Sequence, residues 1–172
     1  SYSFSVKPFR FNHLLKLIKN LNVSGKTMWC EKTPKNIKYF REIYNLFNGN
    51  VKLIHIVRNA YNVTKSVHPT DPKISWVPLE RWVSDVQIGL QNKEISLLVR
   101  FEDLIDNFEY ELKRICEFID IPFETKMLEY HKNTGLNNHV AWGWKKAIPI
   151  KNIVKKNYRV PGEFYDKLLQ DK

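Results

Sequence analysis

Two short apolar runs constrain the fold of this chain more than any other feature. Residues 51–57 (VKLIHIV) and 95–101 (ISLLVRF) have the length of strands, and each is followed by a segment with helical spacing. Short, β-branched apolar runs are typical of buried strands, and strands that alternate with helices pair in parallel through right-handed crossovers. The sequence therefore predicts an α/β fold in which helices cover both faces of a central parallel sheet.

The spacing of apolar residues predicts helices between and around these strands. We expect them over residues 13–21, 37–47, 59–67, 79–92, from a cap at Asp106 or Asn107 to residue 119, and over 124–131. Residues 68–78 carry three prolines and are expected to form a loop. Residues 27–30 are expected to form a short buried strand, and the free thiols of Cys30 and Cys116 are expected to be buried. Trp82 is interpreted as a core residue.

The composition favours one folded domain with an anionic partner. With 172 residues, of which 43% are hydrophobic, the chain can form a single domain over residues 1–172. Residues 133–172 have no regular pattern, and we expect them to form a cofactor or substrate loop and a C-terminal segment. No apolar run approaches the roughly 18 residues of a membrane span. The net charge of +10 indicates an anionic partner, such as a nucleic acid, a phosphorylated cofactor or an acidic acceptor.

The clearest chemical signal follows the first strand. Arg58 stands at its C-terminal end, a helix is predicted to begin at Asn59, and Ser66 lies about two turns further along the same face. Ligands of open parallel sheets bind at this edge, a helix N-terminus attracts anions, and the fork of an arginine matches a phosphate. Arg58 and Ser66 are therefore candidates for a phosphate clamp. The alternative is an arginine paired with a nearby carboxylate, beside a serine that is only exposed.

Two further blocks follow predicted strands. Glu31-Lys32-Thr33-Pro34 comes after residues 27–30 and places a cation, a hydroxyl and a helix start at the sheet edge. Lys32 could neutralise charge on a transferring group, although a helix start with exposed charges has the same pattern. After the second strand, Glu102 and Asp103 follow Phe101. Acidic residues suit a helix start, and we interpret this block mainly as architecture.

These three blocks, in this order and spacing, resemble the sulfotransferase family. The resemblance covers roughly residues 28–127 and is to the branch with a Glu-Lys-Thr-Pro block, which includes bacterial enzymes and is similar to heparan-sulfate and tyrosylprotein sulfotransferases. It implies a three-layer fold like that of P-loop kinases. It also implies transfer of a sulfuryl group from 3′-phosphoadenosine 5′-phosphosulfate to a hydroxyl or amine of an unknown acceptor. The positive net charge favours an acidic acceptor, such as a glycan or an acidic peptide. The product would be adenosine 3′,5′-bisphosphate, and no metal would be needed.

The resemblance implies roles for individual residues. Arg58 and Ser66 stand at the positions that bind the 3′-phosphate. Lys32 stands beside the transferring sulfuryl group, with Thr33 as a further cofactor contact. Phe101 matches an aromatic position whose ring lies near the adenine.

Other parts of the family pattern match less closely. Trp144 and Lys145 resemble the Trp-Lys of a late cofactor loop. His13 and Glu31 are the candidates for the base that activates the acceptor. The family's first strand and its Gly/Arg/Ser-rich loop, which binds the 5′-phosphosulfate, have no counterpart here, and we therefore expect an N-terminally incomplete chain.

Two other classes of function remain open. A nucleotide kinase would need a complete G-x-x-x-x-G-K-[ST] loop, but Asn20 stands where the first glycine belongs before Gly25-Lys26-Thr27. A non-catalytic basic domain that binds RNA or another polyanion would show steep salt dependence and no preference for a 3′-phosphate. With no anchor visible in the sequence, we expect a cytoplasmic location, or the Golgi lumen if the chain is eukaryotic.

Overall fold

The computed structural model describes residues 28, 30–68 and 71–133. The chain divides into two compact units, Ser1–Val51 and Lys52–Lys172. The predictions for the helix at residues 13–21, for His13 and for Trp144 and Lys145 fall outside the described residues, as does the tail beyond residue 133.

In the first unit, a 3₁₀ helix leads directly into an α-helix. The 3₁₀ helix spans Pro34–Tyr39, and α1 spans Phe40–Leu46. Pro34 suits the first turn because a helix leaves the first N–H groups without internal partners. The apolar side chains that these turns bury recur every three residues: Ile37, Phe40 and Ile43. The predicted helix at residues 37–47 is confirmed, although its first part has the tighter 3₁₀ winding.

The end of α1 follows the glycine signal in the sequence. Asn48 and Gly49 adopt positive φ angles of 48° and 79°, and the Gly49 N–H donates to the Tyr44 carbonyl at 2.9 Å. This left-handed turn satisfies a carbonyl of the last helical turn, and glycine adopts it without steric cost.

The segment before the 3₁₀ helix is not a buried strand. Its described residues, Met28 and Cys30, lie outside any strand; Met28 is 53% exposed, and the Cys30 thiol is free and exposed. The predictions of a strand at residues 27–30 and of a buried Cys30 are therefore wrong. A strand needs a neighbour for its backbone groups, and none pairs with this segment within the described residues. The other cysteine, Cys116, is buried as predicted.

Among the described residues, the second unit contains both two-stranded sheets and most of the helices. In chain order its elements are β1 (Leu53–Val57), α2 (Ala60–Thr64), β2 (Val67–His68), β3 (Asp71–Ser75), α3 (Leu79–Gln91), β4 (Ser96–Arg100), α4 (Phe101–Asp106), α5 (Phe108–Phe118), a 3₁₀ helix (Thr125–Glu129) and α6 (Tyr130–Asn133). β1 and β4 pair in parallel, with Val57 opposite Arg100. The predicted α/β fold with a parallel sheet flanked by helices is confirmed, and both strands end at the same edge.

The core of this unit lies between the sheet and α3. Val57 and Ala60 pack with Trp82 and Val86 of α3, and Leu98 of β4 lies against the same cluster. Trp82 is 5% exposed, which confirms its predicted place in the core.

The opposite face of the sheet is covered unevenly. On β4, Val99 is 0% exposed, whereas its partner in the β1 register, Ile56, is 56% exposed. The prediction that both faces are covered therefore holds for β4 but not at Ile56.

A hairpin replaces the loop predicted at residues 68–78. β2 and β3 pair antiparallel, with Val67 opposite Ser75. The helix predicted over residues 59–67 ends earlier, at Thr64. The hairpin explains this difference, because the Ser75 hydroxyl donates to the Thr64 carbonyl and the Trp76 N–H donates to the Ser66 carbonyl at 2.7 Å. Backbone acceptors that a longer helix would use internally are thus satisfied by the next element.

The later helices follow the sequence closely. α3 confirms the helix predicted at residues 79–92, and α5 confirms the one predicted to run to residue 119. The short helix α4 differs from the prediction, which assigns Phe101 to the end of the strand. Asn107 directly precedes α5, but its side chain makes no capping hydrogen bond. Among the described residues, no helix has the length and apolar character that crossing a membrane requires.

Candidate functional site

Arg58 lies directly after β1, at the edge where β1 and β4 both end. Its guanidinium carbon is 5.1 Å from the centroid of the Phe101 ring. Phe101 is the first residue of α4 and directly follows β4. Because Val57 and Arg100 are register partners, the two residues that follow them are neighbours across the strand pair. A cation over an aromatic face gains about 0.5–1 kcal/mol even at an exposed site. Phe101 therefore supports the half-buried Arg58 side chain.

Trp82 holds the main chain at Arg58. The indole Nε1 of Trp82 donates a hydrogen bond to the Arg58 carbonyl at 2.8 Å. A buried indole N–H needs an acceptor, and this one reaches from α3 to the end of β1. The position of Arg58 is thus fixed from two sides, by Phe101 at the side chain and by Trp82 at the backbone.

Asn59 links the start of α2 to α4. It is 0% exposed, and its side-chain oxygen accepts from the Asn62 N–H at 2.8 Å. Its own N–H and its side-chain Nδ2 both donate to Oε1 of Glu102, at 3.0 Å and 3.1 Å. One buried residue therefore caps α2 and ties the β1–α2 turn to the first turn of α4.

Because of these bonds, the N-terminus of α2 contributes less to anion binding than the sequence predicted. The N–H groups of Asn59, Asn62 and Val63 already have partners within the protein, and α2 has only five residues. Few amides remain to face a ligand, and a helix of this length carries a small dipole. The predicted anion-binding residues Arg58 and Ser66 would therefore have to act through their side chains.

Ser66 is exposed and lies two residues beyond the end of α2. Its hydroxyl donates to the Asn62 carbonyl at 3.0 Å. A serine hydroxyl has one proton, so this bond must be given up before Ser66 can donate to a ligand. The rotation needed for this is a change of one side-chain torsion at the surface.

A second cation lies next to Ser66. Lys65 extends over the Tyr61 ring, with Nζ 4.1 Å from its centroid, and donates to the Tyr61 hydroxyl. Both side chains are exposed. Sequence analysis did not identify this pair, although an aromatic residue and a lysine four positions apart on a helix are expected to meet.

In the first unit, Glu31 organises the turn that carries Lys32. One carboxylate oxygen of Glu31 accepts from the Thr33 hydroxyl and the other from the Asn36 side-chain amide. The Asn36 N–H also donates to the Thr33 carbonyl at 3.0 Å. Lys32 is exposed. Glu31 and Thr33 thus close the turn before the 3₁₀ helix and leave the ammonium of Lys32 at the surface.

A half-buried histidine of β1 lies against α3. Burial lowers the pKa of His55 on β1, and the nearby carboxylate of Asp85 on α3 opposes the shift. The His55 ring lies against Gly89, where a methyl group added to the glycine would come within 2.0 Å of Nδ1. Only glycine at this position of α3 leaves room for the ring in its present position.

The structure brings together some of the predicted site residues. Arg58 and Phe101 are in contact, and Ser66 follows the far end of α2. Asn59 and Glu102 are part of the same edge but were not predicted to contribute. Asn59 carried a recognisable signal, because asparagine just before a helix is a preferred N-cap. Glu102 was interpreted only as an acid at a helix start, and its partner in the sequence is too distant for a local pattern to identify.

Lys32, Glu31 and Thr33 belong to the first unit, and Arg58, Ser66 and Phe101 belong to the second. The roles assigned to all of these residues remain predictions. In the described part of the chain, no group of three or more His, Cys, Asp or Glu side chains is arranged to hold a metal ion.

Comparison with known proteins agrees with the motifs at this edge. The model of the sulfotransferase family matches residues 10–125. Protein-tyrosine sulfotransferase A of Caenorhabditis elegans is 24% identical over 146 residues, which is 76% of this chain and 35% of that protein. The chain thus spans about a third of the length of this relative. No solved structure matches the chain. Because the family model covers more than half of the sequence, including β1, Arg58 and β4, the chain belongs to the sulfotransferase family.

Proposed function

We propose that this chain binds 3′-phosphoadenosine 5′-phosphosulfate through its 3′-phosphate and transfers the sulfuryl group to an acceptor hydroxyl or amine. The observation that carries the proposal is the placement of Arg58 at the shared end of β1 and β4, with its guanidinium on the Phe101 ring. Membership of the sulfotransferase family supports the reaction class. The donor and the acceptor are both part of the proposal.

The arrangement around Arg58 suits a phosphate. A guanidinium can donate two parallel hydrogen bonds to two phosphate oxygens, and its planar face can stack on an aromatic ring. Trp82 and Phe101 restrict the backbone and the side chain, so binding costs less conformational entropy. The Ser66 hydroxyl would add a neutral donor once its hydrogen bond to the Asn62 carbonyl is broken.

The 3′-phosphate lies away from the bond that breaks, so this clamp would supply binding energy and orientation. In the reaction, the acceptor oxygen or nitrogen would form a bond to sulfur while the bond from sulfur to the bridging oxygen breaks. The electron pair of that bond would leave with adenosine 3′,5′-bisphosphate, and a base would take the acceptor proton.

We assign Lys32 to the leaving group, because an exposed ammonium can stabilise negative charge as it develops there. Glu31 is less suited to act as the base, since both of its oxygens accept hydrogen bonds that hold the turn. We therefore propose that Glu31 positions the Lys32 segment. His13 stays the other predicted candidate for the base.

The proposed acceptor is a hydroxyl on an anionic molecule. The relative from Caenorhabditis elegans is named for tyrosine in proteins, and the net charge of +10 favours acidic surroundings for the acceptor. A tyrosine hydroxyl in an acidic peptide meets both conditions, and an acidic glycan meets the second.

Calorimetric titration with adenosine 3′,5′-bisphosphate, 5′-AMP and ATP tests the proposed site. The wild type should prefer the 3′-phosphorylated ligand, and Arg58→Ala should weaken its binding by about tenfold or more, as expected for a hydrogen-bonded charge pair. Lys126→Ala is the matched control, because it removes one positive charge from a side chain that is 71% exposed. Binding that is unselective, or that does not depend on Arg58, would contradict the proposal.

The basic charge also fits a domain that only binds polyanions. In that case the affinity for RNA or heparin would fall steeply with salt, and Arg58→Ala and Lys126→Ala would weaken it alike. Adenosine 3′,5′-bisphosphate would then bind no better than 5′-AMP. The same titrations, repeated at two salt concentrations, separate the two functions.

A further inference from the structure

We infer that Glu102 is a positioning residue for the Arg58 clamp, acting through Asn59 rather than on the ligand. This inference rests on the proposed function, because it concerns the same phosphate site. It assigns a specific task to a residue that sequence analysis interpreted as architecture.

Two consecutive residues of α4 hold two consecutive residues after β1. The Phe101 ring supports the guanidinium of Arg58 at 5.1 Å, and Oε1 of Glu102 accepts both hydrogen bonds from Asn59, at 3.0 Å and 3.1 Å. One of these bonds comes from the Asn59 backbone. Glu102 therefore fixes the main chain immediately after Arg58, whose own carbonyl is held by the bond from Trp82.

The position of Arg58 depends on this turn. A shift of the Asn59 backbone would rotate the peptide that follows Arg58 and carry the guanidinium away from the ring. Recognition of a phosphate by a planar fork is directional, and a displacement of about 1 Å costs much of it. Loss of the Glu102 bonds should consequently affect the phosphate clamp more than the rest of the ligand site.

The cost of burying Glu102 favours a task beyond stability. Its second oxygen, Oε2, is buried and has no hydrogen-bond partner among the described residues. Glu102 is half-buried, and a carboxylate that is partly removed from water and compensated mainly by neutral donors costs more free energy than an apolar side chain in the same space. What an apolar residue would not provide is the acceptor that aligns Asn59.

The test compares three forms of the full chain by calorimetry with adenosine 3′,5′-bisphosphate and 5′-AMP. Glu102→Ala removes the acceptor and should weaken bisphosphate binding by about tenfold while changing AMP binding by less than about twofold. Glu102→Gln keeps an oxygen acceptor for Asn59 and should stay within about threefold of the wild type for both ligands. The ratio of the two affinities is the decisive quantity, because a purely structural defect would weaken both ligands alike.

Glu102→Asp provides a second variant if Glu102→Ala does not fold. It keeps the charge but is one methylene shorter, so one oxygen can no longer meet both Asn59 donors in their present positions. We expect it to lose the preference for the 3′-phosphate while Glu102→Gln retains it. If the wild type prefers the bisphosphate, and Glu102→Ala and Glu102→Asp keep the wild-type ratio of the two affinities, the inference is wrong and the proposed function still stands. A wild type without any preference would overturn the proposed function and this inference with it.

Discussion

The guanidinium of Arg58 lies on the ring of Phe101, 5.1 Å from its centroid, where β1 and β4 end side by side. This contact joins the cation that follows β1 to the aromatic ring that follows β4. The candidate clamp is thus a product of the strand pairing, and four changes test how the surrounding residues maintain it and the fold beneath it.

Arg58→Lys should weaken binding of adenosine 3′,5′-bisphosphate by about tenfold, because lysine keeps the charge but has no planar fork for two parallel hydrogen bonds. Binding of 5′-AMP and the thermal stability should change little. Calorimetry and a melting curve measure these quantities. If lysine replaces arginine without loss, charge alone is sufficient and the geometry at Phe101 has no part in recognition.

Trp82→Phe should destabilise the protein, because the Arg58 carbonyl loses its indole donor at 2.8 Å while most of the core packing remains. Loss of a hydrogen bond to a part-buried carbonyl should lower the free energy of unfolding, measured by urea denaturation, by about 1 kcal/mol. Tyr110→Phe serves as a control, since Tyr110 is 67% exposed and the loss of its hydroxyl should be nearly neutral. Equal effects of the two changes would show that the bond to Arg58 contributes nothing.

Gly89→Ala should also lower the free energy of unfolding, although alanine favours a helix by about 1 kcal/mol over glycine. The added methyl group would come within 2.0 Å of Nδ1 of His55, and relieving such overpacking costs about 1–3 kcal/mol. In a His55→Ala background the same change should become neutral or stabilising. A stabilised Gly89→Ala single variant would show that the His55 ring moves aside freely.

Acidification should weaken the fold through His55. Burial holds its pKa below the usual value of 6.5, so the folded state prefers the neutral ring, despite the opposing effect of Asp85. The contribution of His55 to stability is therefore fully present above about pH 6.5 and declines as the pH falls from there towards the lowered pKa of the folded state.

Urea denaturation at about pH 7.5 and about pH 5 measures this effect. His55→Gln does not titrate, so it should lose less stability between the two conditions than the wild type does. An identical loss in both proteins would mean that other groups cause the acid sensitivity.

The sequence by itself was enough to identify the strands β1 and β4, their parallel pairing, the helices α3 and α5, and Arg58 at a strand end. These features depend on the local periodicity of apolar residues and on the rule that parallel strands are joined by right-handed crossovers. Both can be recognised from residues that are close together in the sequence. The order of the motifs also pointed to the family that the comparison confirmed.

Only the tertiary structure decided how the site is held together. The helix after Arg58 stops at Thr64 because Ser75, at the end of the next hairpin, and Trp76, which follows it, satisfy backbone carbonyls around the helix end. Asn59 meets Glu102 because β1 and β4 end at one edge. Such contacts join residues far apart along the chain, and their energies depend on burial and geometry that no local pattern contains. The sequence could therefore locate Arg58 at a strand end, but it could not identify the residues that position its side chain.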